Sequence, residues 1–271
     1  MRFRVSAAVV TGAVALTGLA APAVHADEKP GSGPAAFAVP ASGDESYGNT
    51  KISNIVLNGG KSMVLGTSAK KKFTVTFTAG DNSGIVEAHT AIWRGSDFAE
   101  PTDFVDSDQQ GVSCGTGTTV TCELSITLDP RKQSNAKAGA WKFAVGAVAK
   151  DGNYLIKPKV KSVNLQRAAK LTVNAAPEPV KKGKTLTVTG ALTRANWDTD
   201  RYAGYTGQAV KLQFKKKGAA SYTTVKTVKT DKKGHLKTTV KAGSDGTYRY
   251  SFAGNSTTQG ISSTGDFVDV R

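Results

Sequence analysis

Strict two-residue alternation of apolar and polar side chains, in short runs closed by turn residues, recurs from residue 51 to the end of the chain. Lys72–Thr78 sends Phe73, Val75 and Phe77 to one side and Thr74, Thr76 and Thr78 to the other. Successive side chains of a strand point to opposite faces, so such a run makes a half-buried antiparallel strand and gives a helix no apolar stripe. Ile52–Leu57, Ile85–Trp93, Val120–Leu128, Trp141–Ala149 and Val160–Leu165 read as further strands. Asn58-Gly59-Gly60, Asp81–Gly84 and Asp151–Asn153 punctuate them as turns. No stretch carries a helical period of useful length.

Past Ala168 a second set begins. Lys170–Val173, Thr185–Gly190, Gln208–Phe214, Tyr222–Thr230, His235–Val240, Thr247–Phe252 and Gly265–Val270 read as strands, with Val210, Leu212 and Phe214 inward. Pro177–Gly183 and Asp231–Gly234 turn the chain. About seven short strands in roughly a hundred residues, twice over, is the pattern of a β-sandwich. The expected fold is all-β: two tandem Ig-like β-sandwich domains at 51–167 and 168–271. The two sets are not repeats of each other in sequence.

Ahead of them lie two segments of other character. Arg2 and Arg4 precede an uncharged apolar run, Ser6–Ala20, and Ala21–Ala26 (APAVHA) holds Pro22 and small residues at 24 and 26. This is the order of a cleavable secretory signal over 1–26. The run is shorter than the roughly 18–20 residues of a spanning helix, and no second one follows, so the mature chain is expected to have no transmembrane segment. Residues 27–50, rich in Pro, Gly, Ser and Ala, read as a flexible linker. The expected location is secreted, extracellular or wall-associated.

Charge is divided unevenly. Residues 168–271 hold 18 Lys and Arg against 7 Asp and Glu, whereas 27–167 hold 16 against 14. A basic surface favours polyanions. For an exported chain these are wall polymers, acidic polysaccharides or anionic lipid surfaces; nucleic acid is not expected. The plainer explanation is that lysine keeps strand edges from pairing.

The segments LTVNAAPEPVKKGKTLTVTGALTRANWD (Leu171–Asp198), GYTGQAVKLQFKKKG (Gly204–Gly218), TVKTVKTDKKGHLKTTV (Thr224–Val240) and DGTYRYSFAGNST (Asp245–Thr257) resemble the Ig-like or fibronectin-like modules of secreted proteins of high-GC Gram-positive bacteria. TFTAGDNSGIVEAHTAIW (Thr76–Trp93) resembles them more loosely. The resemblance implies a sandwich fold and an extracellular location. Some such proteins carry a calcium-binding label. It supplies no active-site motif.

Three features could carry chemistry. Cys114 and Cys122 enclose a seven-residue segment, and in an exported protein such a pair is expected to form a disulfide. Asp97, Glu100, Asp103, Asp106 and Asp108 crowd into one segment; carboxylates suit calcium, the one cofactor expected if there is any, and Asp97, Asp103, Asp106 and Asp108 are the candidate ligands. Their spacing is not that of an EF-hand, and a solvated acidic loop is the plainer account of them. Trp197 lies in a polar stretch with Arg194, Arg201, Tyr202 and Tyr205, which offers aromatic faces and cations to a carbohydrate or wall polymer. The alternative is an inter-strand loop whose Trp caps the sandwich. Trp93 and Trp141, among apolar neighbours, belong to the core. Finally, no nucleophile motif is present: there is no G-x-S-x-G, and His25 lies in the cleaved segment. The expected function is a non-enzymatic binding or structural protein of the envelope, with a calcium-stabilised extracellular protein and a hydrolase whose site forms only on folding as alternatives.

Overall fold

The computed structural model describes residues 43–109 and 111–271. The signal reading of 1–26 and most of the 27–50 linker lie outside the described residues. Strands account for nearly all regular structure. In the first half they are β1 (Glu45–Tyr47), β2 (Lys51–Leu57), β3 (Met63–Leu65), β4 (Lys71–Gly80), β5 (Ile85–Arg94), β6 (Asp103–Asp106), β7 (Thr119–Leu128), β8 (Gly139–Ala149) and β9 (Tyr154–Arg167). In the second they are β10 (Ala169–Leu171), β11 (Asn174–Ala176), β12 (Thr185–Asn196), β13 (Arg201–Gly204), β14 (Ala209–Lys216), β15 (Thr223–Lys229), β16 (His235–Lys241), β17 (Gly246–Phe252), β18 (Ile261–Ser262) and β19 (Asp266–Val268). Three single 3-10 turns complete the set, and no described helix is long and apolar enough to cross a membrane.

Alternation decides how the first sheets face each other. In β4 and β7 the register sets Phe73 opposite Ile126, Val75 opposite Leu124 and Phe77 opposite Cys122, all buried. The threonines between them face away. This three-stranded sheet, β2-β4-β7, covers a six-stranded one in the order β1-β9-β8-β5-β6, with β3 added parallel to β9. The second half repeats the plan. One sheet is built around β12, which pairs β10, β11, β13 and β16; the other runs β15-β14-β17 and continues to β18 and β19. In the first half β4 pairs β7 in one sheet and β5 pairs β8 in the other; in the second half β12 pairs β16 and β14 pairs β17 in the same way. That is the pairing of an immunoglobulin-type sandwich. The two halves therefore share a topology that their sequences do not reveal.

Several edges differ from expectation. Glu45–Tyr47, read as linker, pairs β9, held by the Tyr154 hydroxyl donating to Glu45 at 2.8 Å and by a Lys157–Asp44 ion pair. The strand expected at 160–165 spans 154–167. The stretch after Arg194 is a hairpin, not a long loop: β12 runs to Asn196, and β13 returns with Ala195 opposite Tyr202. Asp200, at φ 53°, makes the left-handed step that Asx residues tolerate.

The Asp81–Gly84 turn is closed by a buried carboxylate. Asp81 accepts from the Ser83 amide, the Ser83 hydroxyl and the Thr50 hydroxyl, each at 2.8 Å. Burial pushes its carboxyl up, but these hydrogen bonds outweigh burial and hold it below the ordinary value. A carboxyl lowered by folding stabilises above its unfolded pKa, near 4, and that contribution is lost as pH falls through the lowered folded value. The melting temperature of Asp81→Asn should therefore fall less steeply than that of the native chain between about pH 5 and pH 2. Parallel slopes would remove Asp81 from acid unfolding.

Candidate polyanion-binding face

Among the described residues of the second sandwich, strands β12 to β17 contain no Asp or Glu. Its seven carboxylates lie in turns or at the ends of short strands. On β14 and β17 the outward lysines and arginine stand beside threonine, serine or glutamine. Outward positions of β14 are Lys211, Gln213 and Lys215, opposite Ser251, Arg249 and Thr247 of β17. The inward partners Val210, Leu212 and Tyr250 are fully buried, which fixes the polar row outward.

Tyr222 lies across this row. The Arg249 guanidinium stacks on its ring at 3.8 Å, and Lys215 Nζ lies 5.2 Å from the centroid. Arg249 Nε donates to Gln213 Oε1 at 2.8 Å, so a neutral amide, not a carboxylate, orients it. A Cβ on Gly265 would sit 2.9 Å from the Tyr222 hydroxyl, which places the ring over the sheet as far as the approach to β19. The result is a flat face of cations clamped on an aromatic ring. It offers hydrogen-bond donors and positive charge to an extended anionic chain.

The residues singled out from the sequence fall elsewhere. Trp197 is only 3% exposed and packs into the core of the first sandwich, where its Nε1 donates to the Gly66 carbonyl at 2.8 Å. It is unavailable for stacking on a sugar, which corrects the reading of Trp197 as ligand surface. Tyr202 packs on the same core, with Lys170 Nζ 4.0 Å over its ring. Arg194 stacks at 3.8 Å on Tyr205 and donates to the Thr258 hydroxyl at 3.1 Å. Tyr205 meets Phe252 edge-on and accepts from Asn255. Arg201 alone of the five is exposed. Most of the group belongs to the junction between the sandwiches. There the Asn135 side chain receives the Trp197 amide at 3.0 Å and Arg167 Nη1, and donates to Asn196 at 2.7 Å. Arg167 is buried; burial and the Arg194 charge pull its guanidinium down to about 10.

The acidic segment does not converge either. Asp103 and Asp106 are three apart on β6, and alternation sends them to opposite faces. Asp103 is taken by Lys137 at 2.8 Å and Arg94 at 3.6 Å. Asp97 and Asp106 accept from the nearby amides of Ala99 and Ser107. Asp108 accepts from the Ser125 and Thr127 hydroxyls at 2.8 and 2.7 Å; burial raises its carboxyl, and these bonds bring the net displacement below the ordinary value. Phe98, packed on Trp93 with ring centroids 5.3 Å apart, pins the segment to the sheet. Among the described residues no group of three or more His, Cys, Asp or Glu side chains is arranged to hold a metal ion. Cys114 and Cys122 are joined as a disulfide, leaving no free cysteine.

The face around Tyr222 was missed because its parts come from three segments. The legible signal was the acid-free polar phase of Gln208–Phe214 and Thr247–Phe252.

No family model matches the chain, and no curated protein matches it in sequence. Among solved structures, the chain is similar to three domains of the bacteriophage RB49 Highly Immunogenic Outer Capsid protein, at 12% identity over 82% of this chain and 70% of that one, with a TM-score of 0.31. It is also similar to the D00-D0 domain of intimin, at 11% identity, 80% and 99% coverage and a TM-score of 0.26. A chimeric titin Z1Z2 matches at 11% identity, 86% and 98% coverage and a TM-score of 0.25. By its own strand pairing, this chain is an all-β protein of two tandem Ig-like sandwiches.

Proposed function

We propose that the protein is an extracellular, non-enzymatic binding module that attaches to an anionic polymer of the cell envelope through the β14–β15–β17 face. The observation that carries this is Tyr222 held between Arg249 and Lys215 on a sheet surface with no carboxylate. Solubility alone asks only for scattered lysines at a sheet edge. A guanidinium stacked on a half-buried ring and oriented by Gln213 is a fixed donor, pre-organised to meet an oxyanion with little loss of side-chain entropy. The edge-strand Lys229, opposite Ala209, extends the positive field beyond the ring. The signal reading of the first 26 residues and the disulfide favour an extracellular setting.

The test is retention on purified cell wall or on an immobilised sulfated polysaccharide. Native protein should bind at low salt and elute as salt rises, because the Debye length falls from ~30 Å at 0.01 M to ~3 Å at 1 M. Lys215→Ala with Arg249→Ala should elute at distinctly lower salt while melting at the native temperature. Elution of the double variant alongside native protein would overturn the assignment to this face.

A further inference from the structure

An open groove of about 730 Å³ runs along the junction of the two modules. Its floor follows from the parallel pairing of β3 with β9. Met63 pairs Leu165, and both point into the core; Val64 pairs Gln166, and both must point out. Gly66 and Ala168 continue the outward row, so the floor is made of small side chains and one amide. The turn at Asn58–Gly60 forms one wall; Asn58 Nδ2 holds the Lys61 and Ser62 carbonyls at 3.2 and 2.8 Å and so sets the direction of Lys61. Lys70 and Lys71, at the entry to β4, line it as well. The second module closes the end with Gln259, whose amide donates to the Arg167 carbonyl at 3.1 Å.

The groove thus carries three lysines and no carboxylate. None of the three enters an ion pair found among the described residues. Its volume lies in the ~300–1,000 Å³ range of ligand sites, which concentrate where domains meet. The lining amides and the Ser62 hydroxyl suit the hydroxyls of a sugar, and the three lysines suit an oxyanion attached to it. It uses none of the residues of the Tyr222 face.

The geometry points to a second binding site in this groove, for a saccharide bearing an oxyanion: a sulfate, carboxylate or phosphate substituent. It is open enough for a chain to pass along it.

Titration of the full chain with defined tetrasaccharides tests it. Four probes are used: sulfated, uronate-bearing, phosphorylated and neutral. At least one charged probe should bind and shift the backbone amide resonances of Gly66, Ala168 and Gln259, while the neutral one binds far more weakly. Lys61→Ala, Lys70→Ala and Lys71→Ala together should weaken that binding at least about tenfold, the worth of one charge-assisted hydrogen bond. These lysines are exposed, so the triple variant should melt as the native chain does. Lys215→Ala with Arg249→Ala should leave the tetrasaccharide affinity unchanged, which separates this site from the face proposed above. Native affinity in the triple variant, equal binding of the neutral probe, shifts confined to Thr224–Lys229, or no binding of any charged probe would each overturn it.

Discussion

Trp197→Ala should lower the unfolding free energy by ~3–5 kcal/mol, the range for removing a buried indole. The side chain belongs to the second module by sequence and to the first by packing. Ala195 and Trp197 join the cluster of Phe73, Phe77, Trp141 and Phe143, and Tyr202 packs against it. Removing the ring leaves a cavity in the first core and an unpartnered Gly66 carbonyl. It also removes the anchor from a junction otherwise stitched by the Asn135 side chain and by backbone bonds, Ala168 N to Leu65 O and Arg167 N to Thr257 O, at 2.8 and 3.0 Å. Denaturant unfolding should therefore change in kind as well as in midpoint. The native chain is expected to unfold in one step, and the variant in two, as each sandwich melts by itself. Trp197→Phe keeps most of the apolar contact and loses the hydrogen bond, so it should cost less and keep one step. A native-like midpoint for Trp197→Ala would show that the junction is held without the indole.

That junction marks where sequence reading stopped. Alternation made the half-buried strands legible, because Phe73, Val75 and Phe77 can share a face only in extended chain. It also separated Val210 and Leu212 from Lys211 and Lys215, and so contained half of the Tyr222 face. Trp197 was read as loop because its neighbours Asn196, Asp198 and Asp200 are polar. Asn196 and Asp198 are polar because they accept the hydrogen bonds of Asn135, more than sixty positions earlier. A contact of that span leaves no local period. The acidic segment misled for the opposite reason: closeness along the chain suggested convergence, and the two-residue period of β6 prevents it. The groove at the junction could not be read at all, since β3 and β9, which form its floor, lie about a hundred residues apart and pair in parallel.

Opening the Cys114–Cys122 bridge should cost the first sandwich about 2–3 kcal/mol. The loop it closes is short, with a sequence separation of 8, and the entropy of closing a loop this small lies just below the ~3 kcal/mol of a fifteen-residue one. The two ends are not equivalent. Cys122 is fully buried on β7 opposite Phe77, so the bond also ties an irregular segment to a core position. Cys114 is half-exposed at the other end. Cys114→Ala with Cys122→Ala deletes the bridge and keeps the core position apolar, and should show the loop-closure loss alone. Cys114→Ala with Cys122→Ser adds a hydroxyl beside Phe77 and should be less stable still, by the cost of burying an unpaired polar group. The difference between the two double variants isolates the core contribution from the loop contribution. Equal stability of the two would place Cys122 in wetter surroundings than its packing against Phe77 provides, and a native-like melting temperature for the Ala–Ala variant would leave the bridge without a stabilising role.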